Sequence, residues 1–203
     1  PIVSYCAGRT DAGVHALGQV VHFDTDVQRP LAAWVRGVNT YLPHDIAVRW
    51  AQIVDSSFHA RFAAVARRYA YLIANHPTKT AILSDRAVWY PYHLNVAAMQ
   101  ESLRYFLGEQ DFTSLRAAEC TARSSMRNII DLSLSAEQGW VLIVVQANAF
   151  LQRMVRNLVG VLLHIGSGRA SPHWAQKVLV AKDRRCAAPT APARGLYLTD
   201  VSY

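Results

Sequence analysis

Ile129-Ile130-Asp131-Leu132-Ser133-Leu134 and Trp140-Val141-Leu142-Ile143-Val144-Val145-Gln146-Ala147 are two apolar runs on either side of Ser135-Ala136-Glu137-Gln138-Gly139. Branched and aromatic side chains suit the pleated, half-buried surface of a strand, and a polar stretch ending in glycine is turn chemistry. The pair therefore reads as a β-hairpin, and so as antiparallel sheet. Working outward, Arg68–Ile73 alternates, with Tyr69, Tyr71 and Ile73 on one face and Arg68, Ala70 and Leu72 on the other, the two-residue period of a half-buried strand. Leu196–Val201 is a further alternating strand, and Ile2–Ala7, Gln19–Asp24 and Ile46–Val54 are shorter candidates.

Between these runs lie helical signals. Val96, Met99, Leu103, Phe106 and Leu107 recur at helical spacing, behind the capping residue Asn95 and ahead of Gly108. Pro30 opens a helix that ends before Pro43. Phe150 to about Ile165 reads as a long apolar helix interrupted by Arg153, Arg156 and Asn157, and Ser171-Pro172 as the cap of another that runs to about Lys182. Strands and helices mix without the βαβ regularity of a parallel sheet, so the expected class is α+β with a largely antiparallel sheet. Asp55–Ala66 carries no clear period, which places a boundary there, between an N-terminal subdomain over 1–58 and a C-terminal one over 65–203.

A chain of 203 residues holds one large domain or two small ones at roughly 100–200 residues each. With 52% hydrophobic and 17% charged residues it lies well away from disordered composition. Trp140–Val145 and Leu158–Leu163 are its longest near-apolar stretches, far short of the ~20 residues of a membrane span. The three cysteines form no CxxC pair, which argues against a zinc site or a disulfide framework and for a reducing compartment. Pro1 has no basic or apolar leader pattern behind it, and a trimmed amino end is the expectation. The net charge is +7, and 18 of the 21 cations are arginine, whose planar fork binds phosphate and stacks on bases. A polyanion such as RNA fits this balance; a genome rich in Ala and Arg codons would give it too, as the 30 alanines indicate.

The densest chemistry is Gly8-Arg9-Thr10-Asp11-Ala12-Gly13-Val14-His15-Ala16, a carboxylate set between two glycines. An aspartate in a sharp loop serves as nucleophile, as general base, or only as a cap for the next turn. Arg9 has the same duality, since it either orients the carboxylate or solvates itself. Asp11, His15, His22 and Asp24 are metal-ligand types within one hairpin, but their spacing matches no closed zinc pattern, and His22 and Asp24 share the parity of an ordinary exposed face. On the long helix Arg153 can snorkel at the edge, whereas Arg156, in the middle of the apolar run, calls for an anion to face it.

GRTDAGVHA, continued by Gly18-Gln19-Val20-Val21-His22-Phe23, resembles the active-site segment of the tRNA pseudouridine synthase A (TruA) family. The likeness runs on through Ala66-Arg67-Arg68-Tyr69-Ala70-Tyr71, Gly108-Glu109-Gln110-Asp111-Phe112-Thr113-Ser114, Asn148-Ala149-Phe150, Met154-Val155-Arg156-Asn157-Leu158-Val159-Gly160 and Ala191-Pro192-Ala193-Arg194-Gly195-Leu196-Tyr197-Leu198, in the family's order. The resemblance implies the pseudouridine synthase fold, two α+β subdomains of largely antiparallel sheet flanked by helices around a central active-site cleft. It implies Asp11 as the catalytic residue and Tyr69, Arg156, Arg9 and Leu196 as substrate-binding residues, with Tyr69 packing on the uracil and Arg156 pairing with the carboxylate. It further implies isomerisation of uridine at positions 38, 39 and 40 of the tRNA anticodon arm by a cytoplasmic homodimer that needs no cofactor and no metal. Family members carry a strand and helix ahead of the GRTDAG segment, so a truncated homologue that binds tRNA without turnover is the alternative. A metal-dependent hydrolase built on Asp11 and His15 is a second.

Overall fold

The computed structural model describes residues 2–203. Its strands are β1 (Ser4–Cys6), β2 (His15–Ala16), β3 (Val21–Phe23), β4 (Ala66–Ala74), β5 (Val88–Trp89), β6 (Gly108–Asp111), β7 (Met126–Glu137), β8 (Trp140–Ala147) and β9 (Leu196–Ser202). Its α-helices are α1 (Leu31–Tyr41), α2 (Val96–Ser102), α3 (Met154–Gly166) and α4 (Trp174–Ala181). β1 and β3 form a two-stranded antiparallel sheet, and the other strands form a second sheet in the order β2-β9-β4-β8-β7-β6, with β5 beside β4. Among the described residues only the short pairings of β2 with β9 and of β5 with β4 are parallel. The α+β class with largely antiparallel sheet is the architecture observed.

The long hairpin extends beyond the apolar runs that announced it. β7 continues to Glu137 because Gln138 and Gly139 alone make the turn, both with positive φ (47° and 79°), the geometry that matches strand twist in two-residue loops. β4 alternates as its sequence does: Tyr69, Tyr71 and Ile73 are buried, while Arg68 is exposed and Ala70 and Leu72 are half-buried. In register, Tyr69 lies between Val145 and Leu198, and Tyr71 between Ile143 and Leu196. α3 covers this face and buries ten of its thirteen residues, as a helix that is apolar nearly all round must. The core is this one cluster of sheet and α3 side chains, completed by Met99 of α2 and Ala175, Val178 and Leu179 of α4.

Several expected boundaries move. Ile46–Val54 forms no strand: Asn39 of α1 donates to Val48 O at 2.9 Å and accepts from Val48 N at 2.7 Å, and Ile46 N donates to Pro43 O at 3.0 Å, so ladder groups at the start of the run are already bonded. α3 begins at Met154 rather than Phe150, because Arg153 is left-handed (φ 60°) and ends the preceding turn. α4 begins at Trp174, since Ser171 O accepts from Trp174 N in a turn and no side chain caps the helix. The Asn95 cap is made, its side chain accepting from Ala98 N at 3.0 Å, but α2 tightens at Leu103–Tyr105 into a 3-10 turn. Gln19 leaves its expected strand to bond Gly8, and His22 is half-buried against Tyr5 (ring centroids 5.2 Å apart) instead of lying on an exposed face. No helix among the described residues is long and apolar enough to cross a membrane.

Burial is uneven along the chain. Between residues 2 and 63 only Ala7 and Ala60 are buried hydrophobics, and Ile2, Val3, Tyr5, Val21 and Phe23 are all exposed. The first sixty residues therefore draw their order from hydrogen bonds to the large sheet and from aromatic stacking more than from a core of their own. That dependence decides how the Asp11 loop is placed.

Candidate active site

The Asp11 loop is pinned on both flanks. On the near side Gln19 brackets Gly8, its Nε2 donating to Gly8 O at 2.7 Å and its Oε1 accepting from Gly8 N at 3.3 Å. On the far side Leu17 N and Gly18 N both donate to Leu198 O, at 2.8 and 3.2 Å, and β2 adds His15 and Ala16 to the β9 edge. Gly18 is required there, because a Cβ would collide with the Thr199 carbonyl. Within the loop Asp11 O accepts from Val14 N at 3.0 Å, closing a turn through the backbone and leaving the carboxylate to a partner outside the loop.

The carboxylate meets Arg156, Nη1 donating to Asp11 Oδ2 at 2.6 Å across 145 residues of sequence. Arg156 projects from α3, which the sheet packing fixes, and its Nε donates to Ala191 O at 2.8 Å. The pair is neither sealed nor open, with 16% of the arginine and 32% of the aspartate side chain exposed. Tyr69 comes from the adjacent β4, with its hydroxyl against Gly8 and its ring edge-to-face with Phe150 at 5.1 Å. Burial pushes the Tyr69 phenol up; the nearby Arg67 cation opposes this and the Asp11 charge adds to it, so the phenol stays neutral at physiological pH. Tyr71, two residues on, donates to Pro192 O at 2.7 Å, and burial lifts it further still. Leu196 is buried at the start of β9, opposite Tyr71. Arg9 is exposed and makes no ion pair among the described residues.

The structure thus brings Asp11, Arg156 and Tyr69 to one place, with Leu196 buried on the neighbouring strand and Arg9 exposed. The metal candidates do not gather: no three His, Cys, Asp or Glu side chains among the described residues stand close enough to share an ion. His15 instead has both ring nitrogens occupied, Nε2 on Asp85 O and Nδ1 on Arg86 Nη1, each at 2.9 Å, over the Tyr197 ring at 4.8 Å. Because Arg86 can only donate, Nδ1 accepts and Nε2 carries the proton, which leaves His15 no lone pair for a metal or a base role.

Arg67 is a residue whose part was not visible in the sequence. Its guanidinium donates to Ala64 O at 3.0 Å, Asn148 O at 3.2 Å, Ala7 O at 3.2 Å and Arg61 O at 2.6 Å, so one side chain ties the strand before the Asp11 loop to β4 and β8. Burial lowers its pKa without threatening its charge. Next to Tyr69 it reads as a phosphate-binding arginine, and only four carbonyls converging in space reveal a clamp.

The family profile described as tRNA pseudouridine synthase matches residues 2–63 and 103–203. The chain belongs to the tRNA pseudouridine synthase family, whose members are isomerases. At closer range it is 51% identical over all 203 residues to the tRNA pseudouridine synthase A of Tolumonas auensis, covering 100% of this chain and 78% of that protein. The tRNA pseudouridine synthase A proteins of Vibrio vulnificus and Shewanella woodyi are also 51% identical over 100% of this chain, which spans 77% and 78% of their lengths.

Proposed function

We propose that this chain isomerises uridine to pseudouridine at positions 38, 39 and 40 of the tRNA anticodon stem-loop, with Asp11 as the catalytic residue. The observation that carries the reading is the 2.6 Å contact between Arg156 and the one carboxylate of the GRTDAG loop, beside a buried tyrosine. In the reaction the bond from the sugar C1′ to uracil N1 breaks and one from C1′ to C5 forms, while the C5 proton leaves and N1 gains one. Nothing is oxidised or reduced, so no cofactor is needed. A carboxylate serves either as nucleophile at the sugar or as the base that takes and returns a sugar proton. Arg156 donates a charge-assisted hydrogen bond to the carboxylate and so orients it for both routes.

A uridine in a stem-loop must leave its stack to reach this site, at a cost of a few kcal/mol. An aromatic face returns about 1–3 kcal/mol per base. Tyr69 is the ring that packs on the freed uracil, Leu196 lines the pocket behind it, and Arg9 and Arg156 contact the nucleotide from the side of the Asp11 loop. The 1–58 and 65–203 subdomains supply the two walls of the cleft. The enzyme works as a cytoplasmic homodimer; three free cysteines agree with a reducing compartment. The test is Asp11→Asn assayed on tRNA carrying tritium at uridine C5. No tritium release and tRNA affinity within about tenfold of the parent, ~1.4 kcal/mol, are expected. Turnover above a no-enzyme control overturns the assignment, whereas binding without turnover by the parent protein means a tRNA-binding homologue.

A further inference from the structure

Asn157 follows Arg156 on α3 and is 1% exposed, one of three buried polar side chains among the described residues. It is engaged at both ends of its amide. Nδ2 donates to Leu115 O at 2.7 Å, and Oδ1 accepts from Thr190 Oγ1 at 2.6 Å and from Arg184 Nη2 at 3.1 Å. Arg184 reaches further, Nη2 donating to Thr190 Oγ1 at 3.0 Å and Nη1 to Ala188 O at 2.9 Å. Among the described residues no carboxylate stands within ion-pair distance of Arg184. A partly buried cation held only by neutral acceptors is costly, and it persists where it shapes something. Here it shapes the stretch 188–191.

That stretch ends in Ala191, which grips Arg156 twice. Ala191 N donates to Arg156 O at 3.1 Å, and Ala191 O accepts from Arg156 Nε at 2.8 Å. With Nε held, the plane of the guanidinium is set, and Nη1 points at Asp11. On one side α3 approaches so closely that a Cβ at Gly160 would collide with Pro189 O. The stretch also lines an open groove of about 260 Å³ with Trp89 and with Gly160 and Leu163 of α3, while Ala188 and Ala191 at its two ends are buried in the core. Between those ends Pro189 is exposed and Thr190 half-buried, and lateral hydrogen bonds from Arg184 and Thr190 add restraint to the packing of the two alanines.

We infer that Thr190 and Arg184 are positioning residues which, through Ala191, set the plane of the Arg156 guanidinium against Asp11. This rests on the reading of Asp11 and Arg156 as the reacting-site pair. Neither residue touches the nucleotide in this account; each acts on rate by fixing a geometry in which a displacement of about 1 Å costs on the order of a hundredfold. The experiment is Thr190→Val, which keeps shape and removes the hydroxyl, compared with Thr190→Ser, which restores it, in single-turnover pseudouridine formation at saturating tRNA. The valine variant is expected to lose about ten- to a hundredfold in rate, with tRNA Kd within about twofold. The serine variant should recover most of the rate, and Thr190→Val placed on Arg156→Met should lose nothing further. Arg184→Gln is the second variant, with the same pattern expected; circular dichroism at the assay temperature reports the folded fraction, to which all rates are scaled. A folded Thr190→Val or Arg184→Gln at the parent rate, or a loss that appears in Kd instead of rate, overturns the inference. Asp11→Asn run alongside separates the two readings, because turnover by that variant overturns the site itself, whereas an inactive Asp11→Asn beside a fully active Thr190→Val overturns only the positioning role.

Discussion

Removing the cation from the Asp11 pair tests whether the tertiary contact does chemical work. Arg156→Met keeps helix propensity and apolar bulk while deleting the charge. With 16% and 32% of the two side chains exposed, the pair lies between an exposed bridge, worth about 0–1 kcal/mol, and a buried one, whose breaking costs about 3–5 kcal/mol. A coupling of about 2 kcal/mol is the value in between. The arginine also loses its bond to Ala191 O, about 1 kcal/mol more, so Arg156→Met is expected to cost about 3 kcal/mol and Asp11→Asn about 2. The double variant should then cost about 3 rather than 5. For a chain of this size each kcal/mol moves Tm by about 2–4 °C, so Arg156→Met melts about 6–12 °C below the parent. If the arginine orients the carboxylate, losing 2–3 kcal/mol of that interaction in the transition state slows single turnover about 30–160-fold while tRNA binding changes less than tenfold. Denaturant unfolding of the four-member cycle gives the coupling, and tritium release gives the rate. A coupling under about 0.5 kcal/mol, or Arg156→Met at the parent rate, refutes the reasoning.

Arg67→Met should destabilise the protein by about 2–4 kcal/mol, since four carbonyls lose one charged donor, and Arg67→Lys by nearly as much because an ammonium cannot span them; an unchanged Tm would show the clamp to be incidental. Asp111 accepts from Thr113 N and Oγ1 and faces Lys182 at 3.1 Å, and the Thr113 hydroxyl above all holds its carboxyl below the usual value. A depressed folded value adds stability above the unfolded pKa of about 3.9 and loses it as pH falls through the folded one. Asp111→Asn should therefore cost about 1 kcal/mol at pH 7 and nothing once the parent carboxyl is protonated, and a gap unchanged down to pH 2 would contradict this. Finally, log affinity for tRNA should fall against log salt at about 0.7–0.9 per phosphate contacted, and a flat dependence would mean that the 18 arginines reflect codon usage.

How much of this was legible beforehand follows from the range of the forces involved. Strand alternation at Tyr69, Tyr71 and Ile73, the hairpin about Gln138-Gly139 and the Asn95 cap are written in neighbouring residues, because they depend on pleat, turn and cap chemistry within a few positions. The sequence by itself also determined the α+β class, the singular carboxylate of the Gly8–Ala16 loop, and the demand of Arg156 for an anion, since an arginine amid Val155, Leu158 and Val159 must be neutralised or exposed. What only tertiary structure decided is which groups answer those demands. Ile46–Val54 has strand composition but yields its backbone to Asn39, and Arg153 breaks the helix that its apolar neighbours announce. His15 turns from ligand candidate to a ring locked between Asp85 and Arg86. Arg67, Arg184 and Arg156 are directed by carbonyls of Ala7, Ala188 and Ala191, and a carbonyl is the same group in every residue. Side-chain pattern records what must be buried or charged, but a backbone acceptor leaves no mark in the sequence until folding brings it within 3 Å of its donor.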